Sequence, residues 1–179
     1  LAGFAYDAYY NHSEQAKKNY FLVWDYAIDQ GFAFGSGMGT NHHYGYQVRK
    51  IYTTAWLMRD AIWKAPNRDN ILSALIFWSA LQETRIPFQY GRDELLDSWH
   101  TLLMAKTVAA LLFVDERERA RALAGLSRWL SGSLQYSPGT IGGIKVDGTT
   151  FHHGGFYPAY TTGVLAMAGQ YIALTNNTR

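Results

Sequence analysis

The sequence predicts an all-α protein built from stacked antiparallel helix hairpins, as in a toroid or solenoid of helix pairs. Apolar residues recur at three- and four-residue spacings through most of the chain, the period of one helix face. No sustained two-residue alternation appears, and the β-branched residues gather in 140–150, where glycine punctuation dominates. The helical stretches are joined by short links, with no sequence repeat of fixed period. With 179 residues, 48% apolar and 17% charged, the chain can bury one sizeable core, so residues 1–179 are read as a single helical domain.

The first clear helix spans 14–30, where Tyr20, Phe21, Val23, Trp24, Ala27 and Ile28 recur at helical spacing and Gly31 ends the pattern. A second is predicted over 46–64, with Val48, Ile51, Tyr52, Ala55, Trp56, Arg59 and Ile62 along one face and Pro66 closing it. Residues 71–81 are apolar on nearly every side, as in a helix packed between others. Asp93 opens a long run through Leu95, Leu96, Trp99, Leu102, Leu103 and Val108. Asp115 and Glu118 have the spacing of a capping pair ahead of a helix to about Leu130, with Gly132 beyond its end. The last helix covers 160–174. Trp56, Trp78, Trp99 and Trp129 fall on apolar faces and are read as core.

Composition excludes several function classes. Sixteen basic against fourteen acidic residues give a net charge of +2, too slight to name a polyanionic partner. The absence of cysteine removes disulfide scaffolds, thiol catalysis and Cys-zinc sites, and leaves the redox compartment unread. No segment reaches the roughly 18 apolar residues of a membrane helix. The chain starts at Leu1 and Ala2 without a basic, apolar leader, so any targeting segment is expected to have been removed or to lie outside this sequence. Aromatic residues make up 16%, a first hint of surfaces that stack against rings.

Two glycine-rich loops interrupt the helices, 31–46 with five glycines and 137–158 with six, and such loops are where binding and catalytic groups concentrate. The first contains Asn41-His42-His43-Tyr44-Gly45-Tyr46. The second runs from Asp147 through His152, His153, Tyr157 and Pro158 to Tyr160. Four of the six histidines lie here. One imidazole from each pair could face a common centre, but no HExxH motif or carboxylate cluster supplies the third ligand a catalytic zinc needs. Proton transfer is the better use. If Pro158 starts a helix, Tyr160 sits in its first turn, where the helix dipole favours a phenolate or a bound anion, and a neighbouring positive charge lowers the phenol pKa. Donors Asn41, His42, His43 and His153 beside Tyr160 suit β-elimination from a uronic acid: the C5 proton is removed, the carboxylate is neutralised, and the C4 oxygen leaves protonated.

These strings resemble the catalytic domain of the chondroitin sulfate ABC lyases, in polysaccharide lyase family 8, over roughly residues 38–175. The resemblance implies an incomplete (α/α) toroid followed by β-sandwich domains, and elimination acting on chondroitin and dermatan sulfates. It implies that His153 acts as base and carboxylate contact, that Tyr160 is the general acid-base, and that His43 takes the proton from iduronate. Asn41, His42, Tyr44, Tyr46, His152, Tyr157 and Arg49 are the expected substrate contacts, with Tyr44 and Tyr46 as stacking residues. Arg49 and Lys50 are read equally as sulfate contacts or as a solvated helix face. Lyases restricted to hyaluronan or chondroitin carry a longer His-to-Tyr spacing and Asn-Trp-Trp in the first loop. Asn-His-His and a seven-residue step favour the broad-specificity branch. The family's catalytic Arg and Glu lie well past the Tyr, whereas nineteen residues follow Tyr160, so the chain is expected to be part of a larger lyase and inactive or impaired alone, with apolar faces uncovered.

No cofactor is required on this reading; a divalent cation, calcium or magnesium, that aids substrate binding stays open. The expected partners are an acidic polysaccharide and the rest of the parent lyase chain, with no nucleic acid and no membrane, in a secreted or periplasmic bacterial setting. The competing readings are a glycan-binding module without chemistry, a hyaluronan or chondroitin AC-type lyase, and an (α/α)-barrel glycoside hydrolase. The hydrolase needs two carboxylates, and the loops offer only Asp147. His12 and His100 are read as ordinary structural histidines.

Overall fold

The computed structural model describes residues 1–91 and 95–176. Its class is all-α, as expected. The helices are α1 Ala2–Tyr10, α2 Glu14–Asp29, α3 Asn41–Leu57, α4 Arg59–Ile62, α5 Arg68–Trp78, α6 Leu95–Asp97, α7 Leu103–Leu111, α8 Glu116–Ser133 and α9 Pro158–Thr175. A tight 3₁₀ turn, Leu81–Arg85, follows α5, and a π-helical turn, Ser98–Leu102, joins α6 to α7 in one continuous helical run. The Asp93 start expected for that run lies outside the described residues.

Local chemistry accounts for several ends. The Ser13 hydroxyl accepts from the Ala16 amide at the start of α2, and the Asp115 carboxylate accepts from the Glu118 amide at 2.9 Å at the start of α8. Pro158 occupies the first turn of α9, where its missing N–H costs nothing. Three expectations shift. Helix α3 begins at Asn41 and not at 46, because the positive-φ glycines end at Gly39 and Thr40, in extended backbone, serves as the N-cap. Gly132 stays inside α8, packed against Phe88, and does not end it. Trp56 is 37% exposed beneath the Arg59 guanidinium and is not core, whereas Trp78, Trp99 and Trp129 are buried.

Two cores divide the chain. Tyr20, Trp24, Phe32, Tyr52, Ile62, Ile71, Leu75 and Trp78 fill the first, between α1, α2, α3, α5 and α7. Leu95, Leu96, Trp99, Leu103, Leu126, Trp129, Leu130 and Val164 fill the second, between the 95–111 run, α8 and α9. The 95–111 run serves both, so whatever projects from its junction stands where the cores meet. On α9 only Val164 and Ala168 are buried, and Leu165, Ile172 and Leu174 remain more than half exposed. Among the described residues no helix is long and apolar enough to cross a membrane.

The 137–158 loop folds into a small antiparallel sheet of β1 Gly143–Ile144, β2 Thr150–His152 and β3 Gly155–Phe156, in the order β1-β2-β3. Asp147 holds the β1–β2 turn, accepting at one oxygen from the Thr149 amide and hydroxyl at 3.0 and 2.7 Å.

The first core makes stability fall in alkali. Burial pushes the Tyr20 phenol from 10.0 up to about 12, and pushes the Tyr52 phenol upward as well. Unfolded tyrosines release their protons near pH 10 while these two hold theirs, so above that pH the unfolded state binds fewer protons and stability drops. Tyr20 alone accounts for roughly 2–3 kcal/mol by pH 12. Denaturant titrations from pH 8 upward should show this loss. Tyr52→Phe, which removes the hydroxyl that donates to Leu75 O at 2.9 Å, should lose about 1 kcal/mol near neutrality but decline less steeply above pH 10.

Candidate active site

The two histidine motifs come together at the junction between the cores. From α3, His42 and His43 project from the first helical turn with ring centroids 4.3 Å apart. The Thr40 hydroxyl lies 2.7 Å from His43 Nδ1, which leaves Nε2 as the nitrogen available to a ligand. Asn41 is anchored, its amide donating to Phe77 O at 2.6 Å. Tyr44 is half-buried, packs on Trp78 at 4.8 Å and donates to Met38 O, so it braces the loop as well as bordering the site. Tyr46 is 45% exposed.

From the second motif, β2 ends on His152, which is 1% exposed, while His153 is exposed at the hairpin tip. Their rings lie 3.8 Å apart. His152 also packs against Tyr160 at 4.8 Å and Tyr157 at 5.5 Å, so it stands between His153 and the phenol of Tyr160. Tyr157 and Tyr160 meet edge-on at 5.0 Å. The β2–β3 register pairs His152 with Gly155, which leaves His153 and Gly154 as the two turn residues, both at positive φ, 51° and 74°. That is the type I′ geometry of tight hairpins, where glycine and asparagine are at home and a histidine is strained.

Two further residues stand at the centre: Asp97, which the sequence reading passed over, and His100, which it took as an ordinary structural histidine. Asp97, 5% exposed, places Oδ2 3.3 Å from His152 Nε2 and 4.0 Å from His42 Nε2. His100, in the π-helical turn, meets Tyr46 edge-on at 5.5 Å and Tyr160 at 6.2 Å. Burial and the Arg49 charge hold the His100 imidazole below its usual pKa, against the pull of Asp97, so it is neutral at pH 7. Arg49 donates to His100 O at 2.9 Å and lies 5.7 Å from the Tyr46 ring. The helices approach closely here: a Cβ on Gly163 of α9 would come within 2.6 Å of the His100 ring, and one on Gly45 would meet Thr101 at 2.6 Å. π-helical turns recur at functional sites because the extra residue re-aims side chains. The available signal was a carboxylate and a histidine breaking an otherwise apolar face through Leu95, Leu96, Trp99, Leu102 and Leu103.

The electrostatics of Tyr160 run opposite to the sequence expectation. Its phenol is pushed up to about 12, first by the hydrogen bond with Tyr46, then by desolvation and the Asp97 charge. The positive charge beside Tyr46, Arg49, is turned toward His100 O. As it stands Tyr160 is a neutral phenol, a proton donor before it is a base.

Beside this cluster a cavity of about 420 Å³ opens, with Thr40, Asn41, His42, Glu83, Ser98 and Trp129 in its wall. Beneath it Lys106, fully buried, places Nζ 2.8 Å from both Glu83 Oε1 and Ser98 Oγ and 5.6 Å from the Trp129 ring. Burial pulls the Lys106 ammonium below its usual pKa and Glu83 holds it up. Among the described residues no group of three or more His, Asp or Glu side chains is disposed to hold a metal ion.

Comparison with known proteins adds a family. The family model described as "Lyase, catalytic" matches residues 1–179. A chondroitin sulfate ABC exolyase of Bacteroides thetaiotaomicron is 33% identical over 178 residues, 94% of this chain and 17% of the relative. A chondroitin sulfate ABC endolyase of Proteus vulgaris is 32% identical over 166 residues, 92% of this chain and 16% of the relative. A chondroitin sulfate ABC exolyase of Proteus vulgaris is 31% identical over 151 residues, 82% and 15%. The chain thus spans less than a fifth of the length of these curated relatives.

Proposed function

We propose, because this chain belongs to the family of lyase catalytic domains, that it forms the acid-base region of a glycosaminoglycan lyase cleaving chondroitin and dermatan sulfates. In this reading the His153 imidazole accepts the C5 proton of glucuronate. The C5 electron pair forms the C4–C5 double bond, the C4–O bond breaks, and the leaving oxygen takes its proton from Tyr160. For iduronate, whose C5 hydrogen lies on the opposite face, His43 is the acceptor. Asn41 and His42 neutralise the carboxylate as charge moves onto it, and Tyr46, Tyr157 and Arg49 border the sugar.

The observation that carries the reading is the convergence of the two motifs, far apart in sequence, on Tyr160. His152 backs Tyr160 at 4.8 Å and Asp97 links His152 to His42. A phenol held neutral up to about 12 keeps its proton for the leaving oxygen at physiological pH. The hydrolase reading loses ground, since Asp147 is committed to a turn and Asp97 is buried behind two imidazoles.

We also infer that a catalytic Arg and Glu come from outside these residues, in a longer, exported bacterial chain. The test is ultraviolet absorbance of the unsaturated uronate, with chondroitin and dermatan sulfates as substrates. The chain is assayed alone and within the polypeptide that contains it. Absorbance rising only in the longer polypeptide is expected. Saturable binding without any absorbance change in either would indicate a glycan-binding module, and cleavage without unsaturation would indicate a hydrolase.

A further inference from the structure

We propose that Asp97 is a positioning residue for the elimination, a buried carboxylate that fixes the imidazoles of both histidine motifs and, through His152, the ring of Tyr160. The inference rests on the lyase reading of the same site.

A carboxylate taken out of water costs several kcal/mol unless charges or donors surround it. Asp97 is 5% exposed, and its Oδ2 faces two imidazoles, His152 Nε2 at 3.3 Å and His42 Nε2 at 4.0 Å. Its backbone is held as well, Asp97 O accepting the Thr101 hydroxyl at 2.8 Å. Asp97 is the last residue of α6, where the π-helical turn begins, and so links α3, the 95–111 run and the β2–β3 hairpin at one oxygen.

His152 carries this hold outward. At 1% exposure its ring cannot be a free-standing contact, yet it meets the tilted His153 ring at 3.8 Å and lies against Tyr160 at 4.8 Å and Tyr157 at 5.5 Å. Rotation of His152 would displace all three. The titratable and charged groups that face Tyr160 are Tyr46, Tyr157, His100, His152 and Asp97. Of these Asp97 is the one carboxylate, and its charge helps keep the phenol protonated. Because Asp97 lies behind the imidazoles, an incoming uronate would meet rings that donate hydrogen bonds, with the like charge screened behind them.

The first test needs no variant. ¹⁵N imidazole spectra of the chain should show His152 with a proton on Nε2, aimed at Asp97. A neutral His152 protonated on Nδ1 alone overturns the proposal. In Asp97→Asn, the Tyr160 phenol, followed by ¹³Cζ-tyrosine titration and assigned with Tyr160→Phe, should titrate at lower pH than in the parent. In the active polypeptide the same variant should lower kcat on the order of 100-fold with KM changed less than about threefold, the signature of misplaced rather than missing contacts. A folded Asp97→Asn protein with parental kcat and an unchanged Tyr160 titration sinks the proposal. If the parent polypeptide itself shows no turnover, the lyase reading fails, while the spectra still decide whether Asp97 holds these rings.

Discussion

Tyr160→Phe removes one oxygen atom and should cost the elimination about 10³-fold or more in kcat, within the range general acid-base groups contribute. The magnitude follows from what else stands near the leaving oxygen. Tyr46 and Tyr157 border Tyr160, but Tyr46 already shares a hydrogen bond with it, and the imidazoles are engaged with Asp97 and with one another. Thr161, the other hydroxyl on the first turn of α9, is engaged with Thr150. The fold should be indifferent to the change. The ring keeps its contacts with His152 at 4.8 Å, Tyr157 at 5.0 Å and His100 at 6.2 Å, and only the hydroxyl is lost. Oligosaccharide affinity, measured by calorimetry, should change less than about threefold, since the phenol's proton is used in the transition state and not in the ground state. Comparable turnover in Tyr160→Phe would remove Tyr160 from the chemistry. The pH profile adds a check of sign. With the phenol held neutral to about 12, the alkaline limb of kcat/KM in the free enzyme should be unaffected by Tyr160 below pH 10.

The helical periodicity was legible because it follows from burial. Tyr20, Trp24, Tyr52, Ile71 and Leu75 all lie where a 3.6-residue repeat puts them, and all are in the first core. The capping pair at Asp115 and Glu118 was legible because it is local. Where α3 begins was not, since glycines and paired histidines look the same in a loop and in a helix's first turn. The site shows the same division. Its histidines and Tyr160 announce themselves by clustering in sequence. Asp97 and His100 do not: they belong to a long apolar run, and only the packing of α3, α9 and the hairpin against a π-helical turn turns them toward the motifs. The raised pKa of Tyr160 is likewise a tertiary property. A dipole argument drawn from α9 alone misses the hydrogen bond with Tyr46, the desolvation and the Asp97 charge, all of which raise the phenol.

His153→Asn separates chemistry from scaffold at the other half of the pair. His153 sits at φ 51° beside Gly154 at φ 74°, the two central positions of the β2–β3 turn. An alanine there would itself be strained, roughly 1 kcal/mol for an ordinary residue in the left-handed region, so lost activity could be blamed on a distorted hairpin. Asparagine meets the backbone requirement better than histidine does, and Asn-Gly is the favoured pair for this turn. The variant should therefore be at least as stable as the parent in thermal melts, by up to about 0.5 kcal/mol, less whatever the ring contact with His152 at 3.8 Å contributes. It should still lose on the order of 10²–10³-fold in kcat on glucuronate-containing chondroitin, because an amide does not accept a carbon-bound proton. Dermatan, whose iduronate is assigned to His43, should suffer less in His153→Asn and more in His43→Asn. Equal losses on both polymers would collapse the two-base assignment to a single shared base. Full activity of His153→Asn on chondroitin would leave the strained turn without a chemical reason and transfer the base role to another group.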